Sequence, residues 1–188
     1  LGAAGIVIPA FARFRITHGG FVPVQLQRLM ELPDVQQHDF SSLQAIMCCG
    51  SPLAPSLKRT TRDTLGCELI ELYGLTEGIV TTLGPIFVLK VTFTPEDFDR
   101  KIDSVGKPIP GQQLKLVRDD DHEAGPGEFG EICGHGRLVM EEYHNRPDAT
   151  TEATWVDPDG RRWLRTGDIG RLDDEGFLYL VDRKKDMI

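Results

Sequence analysis

The sequence predicts an α/β protein: a parallel-sheet α/β portion followed by a β-rich portion in the form of a distorted barrel. Three observations predict it. Before Gly84, short apolar runs alternate with stretches of helical periodicity, the pattern of parallel strands joined by crossover helices. After Gly84, strand-like runs follow at shorter spacing with turn-forming clusters between them. The chain has 188 residues, 40% of them hydrophobic, which is enough to bury a core.

The elements follow in order. "AGIVIP" reads as a buried strand. "VPVQLQRLMEL" puts Val22, Leu26 and Leu29 on one helical face, with Met30 beside them, and Pro23 suits a first turn. "SLQAIMCCG" is strand-like, Pro55 opens a helix through Leu65, and "CELIELYG" is again a strand. Beyond Gly84, "QQLKLVRD", "GEFGEICG" and "GFLYLVDR" are strands bounded by "GKPIPG", "EAGPGE" and "DDEG". One helix, from about Pro147 to Trp155, interrupts them. The apolar stretch Ile86 to Phe93 fits a central strand, an interface or a crossing between the two portions.

Composition narrows the function. A net charge of −8 argues against a bulk grip on nucleic acid or on an anionic membrane. The first apolar run lacks a basic start and is too short to span a bilayer. Cys48, Cys49, Cys67 and Cys133 match no zinc spacing, and the adjacent pair argues against a disulfide framework. A reducing, cytoplasmic compartment fits them. Both ends read as cuts within a longer protein.

Four stretches carry candidate chemistry. In "ELYGLTEG" a strand ends at Tyr73, whose flat face suits a planar base. Gly74 lets backbone N–H groups approach an anion, and Thr76 offers a hydroxyl to a phosphate oxygen. Glu77 is a hard oxygen ligand suited to Mg²⁺. A surface turn with a core-facing tyrosine explains the same five residues equally well. In "LRTGDIGRL", Asp168 follows a Thr-Gly turn between two strand-like runs; its two oxygens suit vicinal hydroxyls, or an Asx turn capping its own backbone. In "VDRKKDMI", Arg183 donates to an oxygen-rich ligand or belongs to a solvated charge run. In "CCGSPLAPS", Gly50, Ser51 and Pro52 either meet a ligand closely or simply connect a strand to a helix.

Together and in this order, "CCGSPLAPSL", "ELYGLTE" and "WLRTGDIGRLDDEGFLYLVDRKKDMI", with "SVGKPIPGQQLKLV", "GPGEFGEIC" and "RPDATTEATW" between them, resemble the adenylate-forming superfamily. The match runs over nearly the whole chain, and "LYLVDRKKDMI" is worded like bacterial acyl-CoA synthetases of the fatty or aryl acid type. The resemblance implies a fragment of an acyl-CoA synthetase-like fold. It divides into an α/β part (1–85), a β-rich part (86–180) and a hinge segment (181–188) leading to a further domain.

The reaction implied is activation of a carboxylic acid by ATP to acyl-AMP, then transfer to coenzyme A with release of AMP. By resemblance Tyr73 lies against adenine, with backbone around Gly74 reading its edge. Thr76 contacts the α-phosphate and Glu77 helps hold Mg²⁺. Asp168 takes the ribose hydroxyls with Arg183 assisting; Gly50, Ser51 and Pro52 line the adenine and acyl end; Lys185 marks the hinge. The family's upstream phosphate loop and downstream catalytic lysine are not in this sequence, so the chain alone is expected not to complete the reaction. Leu72 and Cys49 stand where many members carry glycine. A peptide-synthetase adenylation domain and a non-catalytic nucleotide-binding module are the competing readings, and the oligomeric state is open.

Remaining residues read as structural. His18, His122, His135 and His144 lack metal-ligand spacing, the arginines of "RFRITH" read as a solvated face, and Trp155 and Trp163 flank a turn and pack inward.

Overall fold

In the computed structural model, residues 4–83 and 95–184 are described. The apolar stretch Ile86–Phe93 and Lys185 lie outside them. The chain folds as two compact units: residues 1–73 with 82–103, and residues 74–81 with 104–188.

The first unit opens on a helix, α1 (Ala4–Phe14), where a strand was expected. Gly-Ile-Val-Ile-Pro satisfies a buried strand and a buried helix alike. What decides is the continuation past Pro9: Ile8 and Phe11 are both buried, three residues apart on one helical face. Phe11 stacks on Phe21 at 6.3 Å and meets Phe40 edge-on at 5.8 Å. The helix ends in a Schellman-type cap, with Ile16 N donating to Phe11 O and Arg15 N to Ala12 O. Arg15 occupies the left-handed position at φ 48°, where a side chain is disfavoured. Arg15→Gly should therefore stabilise the unit by about 0.5–1 kcal/mol, read as a higher urea midpoint.

Three parallel strands follow: β1 (His18–Phe21), β2 (Ala45–Cys48) and β3 (Glu68–Gly74). Register runs His18↔Ala45 to Phe21↔Cys48, and Ala45↔Glu68 to Cys48↔Glu71. The crossovers are α2 (Pro23–Met30) and α3 (Pro55–Leu65), each with proline in its first turn. Leu26 and Leu29 face inward as expected, but Val22 is the exposed N-cap, its N–H donating to Gln25 Oε1. Cys48 is buried whereas its neighbour Cys49 is exposed, so only one of the pair fills the core. A short helix, α4 (Pro95–Arg100), adds Phe98, whose ring lies 4.3 Å from the Arg62 guanidinium.

In the second unit β4 (Val80–Leu83, shared with the first) and β5 (Lys107–Pro108) precede an antiparallel sheet. Its members are β6 (Gln112–Val117), β7 (Phe129–Gly136), β8 (Thr154–Val156), β9 (Arg162–Leu172) and β10 (Leu178–Arg183). The order is β10-β9-β7-β6, with β8 on β9, a curled half-barrel. The helix α5 (Pro147–Glu152) is shorter than its pattern implied, and Trp155 lies on β8 opposite Trp163. The two indoles, 6.3 Å apart, pack with Val117 and Cys133. His135 belongs to β7 and is half-buried.

Asp157 locks the β8–β9 turn. It accepts from Arg161 N (2.8 Å), Asp159 N (3.1 Å) and Trp163 Nε1 (3.0 Å). Burial pushes this carboxyl up, but those N–H groups and the Lys115 ammonium outweigh it and hold it below its usual range. A depressed pKa contributes stability that is full above the unfolded value, about 3.9, and is lost as pH falls through the folded one. Urea midpoints should accordingly show Asp157→Asn weakest relative to the parent near neutrality, with the gap closing below that value.

Candidate nucleotide site

The carboxyl ends of β2 and β3 lie side by side, because the strands are parallel and Cys48 is in register with Glu71. Gly50, Ser51 and Pro52 follow one strand, and Tyr73 stands near the end of the other, where open α/β sheets receive ligands. Gly50 adopts φ 99°, and Ser51 and Pro52 are exposed.

Beneath this rim is a pair that sequence reading missed. Glu71 and Lys58 are each 2% exposed and form an ion pair. Glu71 Oε1 accepts from Leu53 N at 3.1 Å, and Lys58 Nζ donates to Ile102 O at 2.6 Å. The acid thus ties β3, two residues before Tyr73, to the loop that carries Ser51 and Pro52. Burial pushes the Glu71 carboxyl up, and the Lys58 charge pulls it back in part. The available signal was an acidic residue on the inward face of a strand, two positions from Leu69, which is fully buried.

In the second unit Thr76 and Glu77 ride on a tight turn, closed by Gly78 N donating to Leu75 O and Leu75 N to Ile79 O. The segment after β7 clamps it. Met140 N donates to Glu77 O at 2.8 Å, and Tyr143 Oη donates to Glu77 Oε1 at 2.9 Å. Gln112 Nε2 donates to Gly78 O at 2.8 Å. Gly78 has φ 115°, and a Cβ there would fall 1.7 Å from Leu138 O, so only glycine allows this approach. Glu77 remains half-buried and Thr76 exposed. The hydrogen bond to Glu77 pushes the Tyr143 phenol above its usual range. Tyr143 was not singled out from sequence; nothing in its spacing marks it.

Asp168 belongs to one continuous strand, not to a turn between two. Opposite β7, β9 runs through five residues from Arg165 to Ile169 where β7 runs through three, from Cys133 to Glu131. The surplus makes a bulge. Thr166 Oγ1 accepts from Asp168 N at 3.0 Å, and Gly167 takes φ 73°. Arg183 is Asp168's cross-strand partner on β10, with Nε 3.4 Å from Oδ1. Asp168 is 9% exposed and the Arg183 side chain is open to solvent.

A further missed residue holds the bulge. Glu131, 5% exposed, accepts from Arg165 Nη1 (2.7 Å), Gly167 N (3.2 Å) and Lys184 Nζ (3.2 Å). Lys184 N also donates to Gly167 O at 2.8 Å, so the residue after β10 bonds both the bulge and the acid that holds it. The predicted residues therefore fall into three groups: Gly50, Ser51, Pro52 and Tyr73 at one sheet end; Gly74, Thr76 and Glu77 on or beside one turn; and Asp168 with Arg183 across one strand pair. Among the described residues no cluster of three or more His, Cys, Asp or Glu stands ready for a metal. A lone half-buried carboxylate still fits Mg²⁺, which takes one or two carboxylates and completes its shell with phosphate oxygens and water.

Comparison with known proteins agrees in every direction. Residues 4–144 match the family model described as AMP-binding enzyme. A long-chain-fatty-acid–CoA ligase from Salmonella typhimurium is 40% identical over 97% of this chain, and 4-coumarate–CoA ligase 2 from Nicotiana tabacum is 34% identical over 94%. The chain spans about 30% of the length of these curated relatives. The O-succinylbenzoate coenzyme A synthetase of Bacillus subtilis, solved with ATP and magnesium, superposes with a TM-score of 0.80 at 32% identity, over 99% of this chain and 35% of that one. The amide bond synthetase McbA of Marinactinospora thermotolerans gives 0.82 at 31% identity, over 98% and 36%. A family model matched along three quarters of the chain, carried on a half-barrel and a parallel sheet that superpose on these enzymes, makes the conclusion plain: the chain belongs to the AMP-binding enzyme family.

Proposed function

We propose that the chain is part of an AMP-forming acid–thiol ligase that activates a fatty or aryl carboxylic acid as its acyl-adenylate and passes the acyl group to coenzyme A. The observation that carries this is the clamped turn bearing Thr76 and Glu77. Its backbone geometry is enforced by Gly78 and its carboxylate is oriented by Tyr143, an investment that a plain surface turn does not require.

In this reading Tyr73 stacks on adenine, with backbone at Gly74 and the Gly50–Pro52 loop along the base and acyl end. Asp168 accepts hydrogen bonds from the ribose hydroxyls, assisted by Arg183. Thr76 donates to an α-phosphate oxygen, and Glu77 presents the oxygen that would hold Mg²⁺. The ion supplies neutralisation of phosphate charge. The residues' own contribution is orientation: the acid's carboxylate oxygen must stand in line with the α-phosphorus and the departing pyrophosphate. Lys185 takes the hinge position. Coenzyme A thiol then attacks the acyl carbon, and AMP leaves as a far better leaving group than the oxide of a free carboxylate. All four cysteines are free, as the reducing cytoplasm of this reading keeps thiols, and no helix among the described residues is long and apolar enough to cross a membrane.

Calorimetric titration of this chain with AMP and Mg²⁺ tests the binding half of the proposal, and pyrophosphate release with ATP and a panel of acids tests the catalytic half. Saturable AMP binding, abolished by Asp168→Ala, is expected, with no turnover by the chain alone. A flat titration contradicts the nucleotide site, and robust turnover contradicts the need for the parent's further parts.

A further inference from the structure

One cavity in the half-barrel is not used by any role above. It has a volume of about 460 Å³ and is lined by Gly111, Gln112, Gln113, His135, Gly136 and Arg137. That volume is in the range of small-molecule pockets, which run from about 300 to 1,000 Å³. In a chain of net charge −8, none of the six lining residues is acidic.

The lining combines amide and guanidinium donors with one imidazole acceptor. The Arg137 side chain is exposed and makes no ion pair among the described residues. His135 Nδ1 is 2.9 Å from Arg162 O, a carbonyl that only accepts, so Nδ1 carries the proton and Nε2 is left for another partner. The ring is held against Trp163, with centroids 5.4 Å apart. Gln113 Oε1 accepts from Arg161 Nη1 at 3.3 Å, which fixes the amide and brings a second guanidinium alongside. At Gly136 a Cβ would fall 2.5 Å from Gly111 O and 3.3 Å from Gln112 Nε2, so the absence of a side chain there keeps the strands close and the cavity open.

A guanidinium with no carboxylate partner among the described residues, beside amides and an imidazole of fixed orientation, is a recognition surface for a tetrahedral oxyanion. The volume calls for more than a bare ion. We infer that this cavity is a subsite for the phosphomonoester end of a small molecule, with Arg137 as its principal contact, the Gln113 amide N–H donating to a phosphoryl oxygen and His135 Nε2 accepting from a hydroxyl of the group that carries the phosphate. The cavity also touches the proposed nucleotide machinery directly, since Gln112 lines it and donates to Gly78 O on the Glu77 turn. The assignment itself stands on the cavity's own residues and does not require the nucleotide reading.

The test uses ribose 5-phosphate, inorganic phosphate and ribose as probes, titrated calorimetrically into the 188-residue chain. Ribose 5-phosphate should bind, inorganic phosphate at least tenfold more weakly, and ribose not at all. Arg137→Ala should weaken ribose 5-phosphate at least tenfold, Arg137→Lys by less, and Arg13→Ala, an exposed arginine of α1, not at all. Asp168→Ala removes the proposed ribose contact of the nucleotide site and should leave this binding intact. No binding of ribose 5-phosphate, equal affinity for inorganic phosphate, or indifference to Arg137→Ala would each overturn the inference. Loss of binding in Asp168→Ala alone would also overturn it, by assigning the sugar phosphate to the nucleotide site.

Discussion

Lys58→Met is expected to lower the stability of the protein by about 3–5 kcal/mol, because it strands a buried carboxylate. Glu71 is 2% exposed, and its charged form is held in place by the Lys58 ammonium and the Leu53 amide. Without the ammonium, Glu71 must take up a proton or draw water into the sheet. Glu71→Leu strands the ammonium instead and should cost a similar amount. The double variant, Lys58→Met with Glu71→Leu, removes both charges and should recover most of the loss. A deficit of about 1–3 kcal/mol should persist, since Ile102 O and Leu53 N each lose a buried partner. Urea unfolding of all four proteins closes the cycle, and additive single effects would contradict the pairing. The same variants bear on function. Glu71 joins the Gly50–Leu53 loop to the strand bearing Tyr73, so AMP affinity should fall in the single variants more than in a control of equal destabilisation elsewhere.

Gly78→Ala should be nearly as damaging, on the order of 3–4 kcal/mol. Two independent costs add. The residue holds φ 115°, which side chains disfavour, and a methyl group would overlap Leu138 O and lie 2.7 Å from Val139 Cα. Backbone cannot yield as a flexible side chain does, so the turn must withdraw from the segment after β7. That withdrawal breaks the bonds from Met140 N and Tyr143 Oη to Glu77. A spectroscopic consequence follows. The raised Tyr143 phenol should return toward its ordinary value, and ultraviolet titration resolves it against the other two tyrosines in the chain. A stable variant with an unchanged tyrosine titration would contradict the clamp.

Much of the fold could be read from local pattern. The α3 helix runs from Pro55 to Leu65 as its proline and apolar spacing imply, and β2, β3, β6, β7 and β10 lie where strand-like runs stand. The misreadings have physical causes. At α1 five apolar residues before a proline satisfy two periodicities, and only the burial of Phe11 beyond the proline separates them. At β9, Thr-Gly-Asp has the chemistry of a turn, and here that chemistry makes a bulge within an unbroken strand. Short motifs marked Tyr73, Thr76, Glu77 and Asp168, since their residue types are individually telling. Lys58, Glu71, Glu131 and Tyr143 were illegible because their importance comes from partners 13 to 66 positions away. An acid on an apolar strand face was the one local clue, and it applies to Glu71 and Glu131 alike.

The central claim is that Tyr73, Glu77 and Asp168 act on one purine mononucleotide. A crystal structure of the chain with AMP and Mg²⁺ measures this directly. The expected density shows the purine on the Tyr73 ring, both ribose hydroxyls on the Asp168 carboxylate, and the phosphate at Thr76 with the metal on Glu77. AMP bound with none of these three side chains against it would contradict the account.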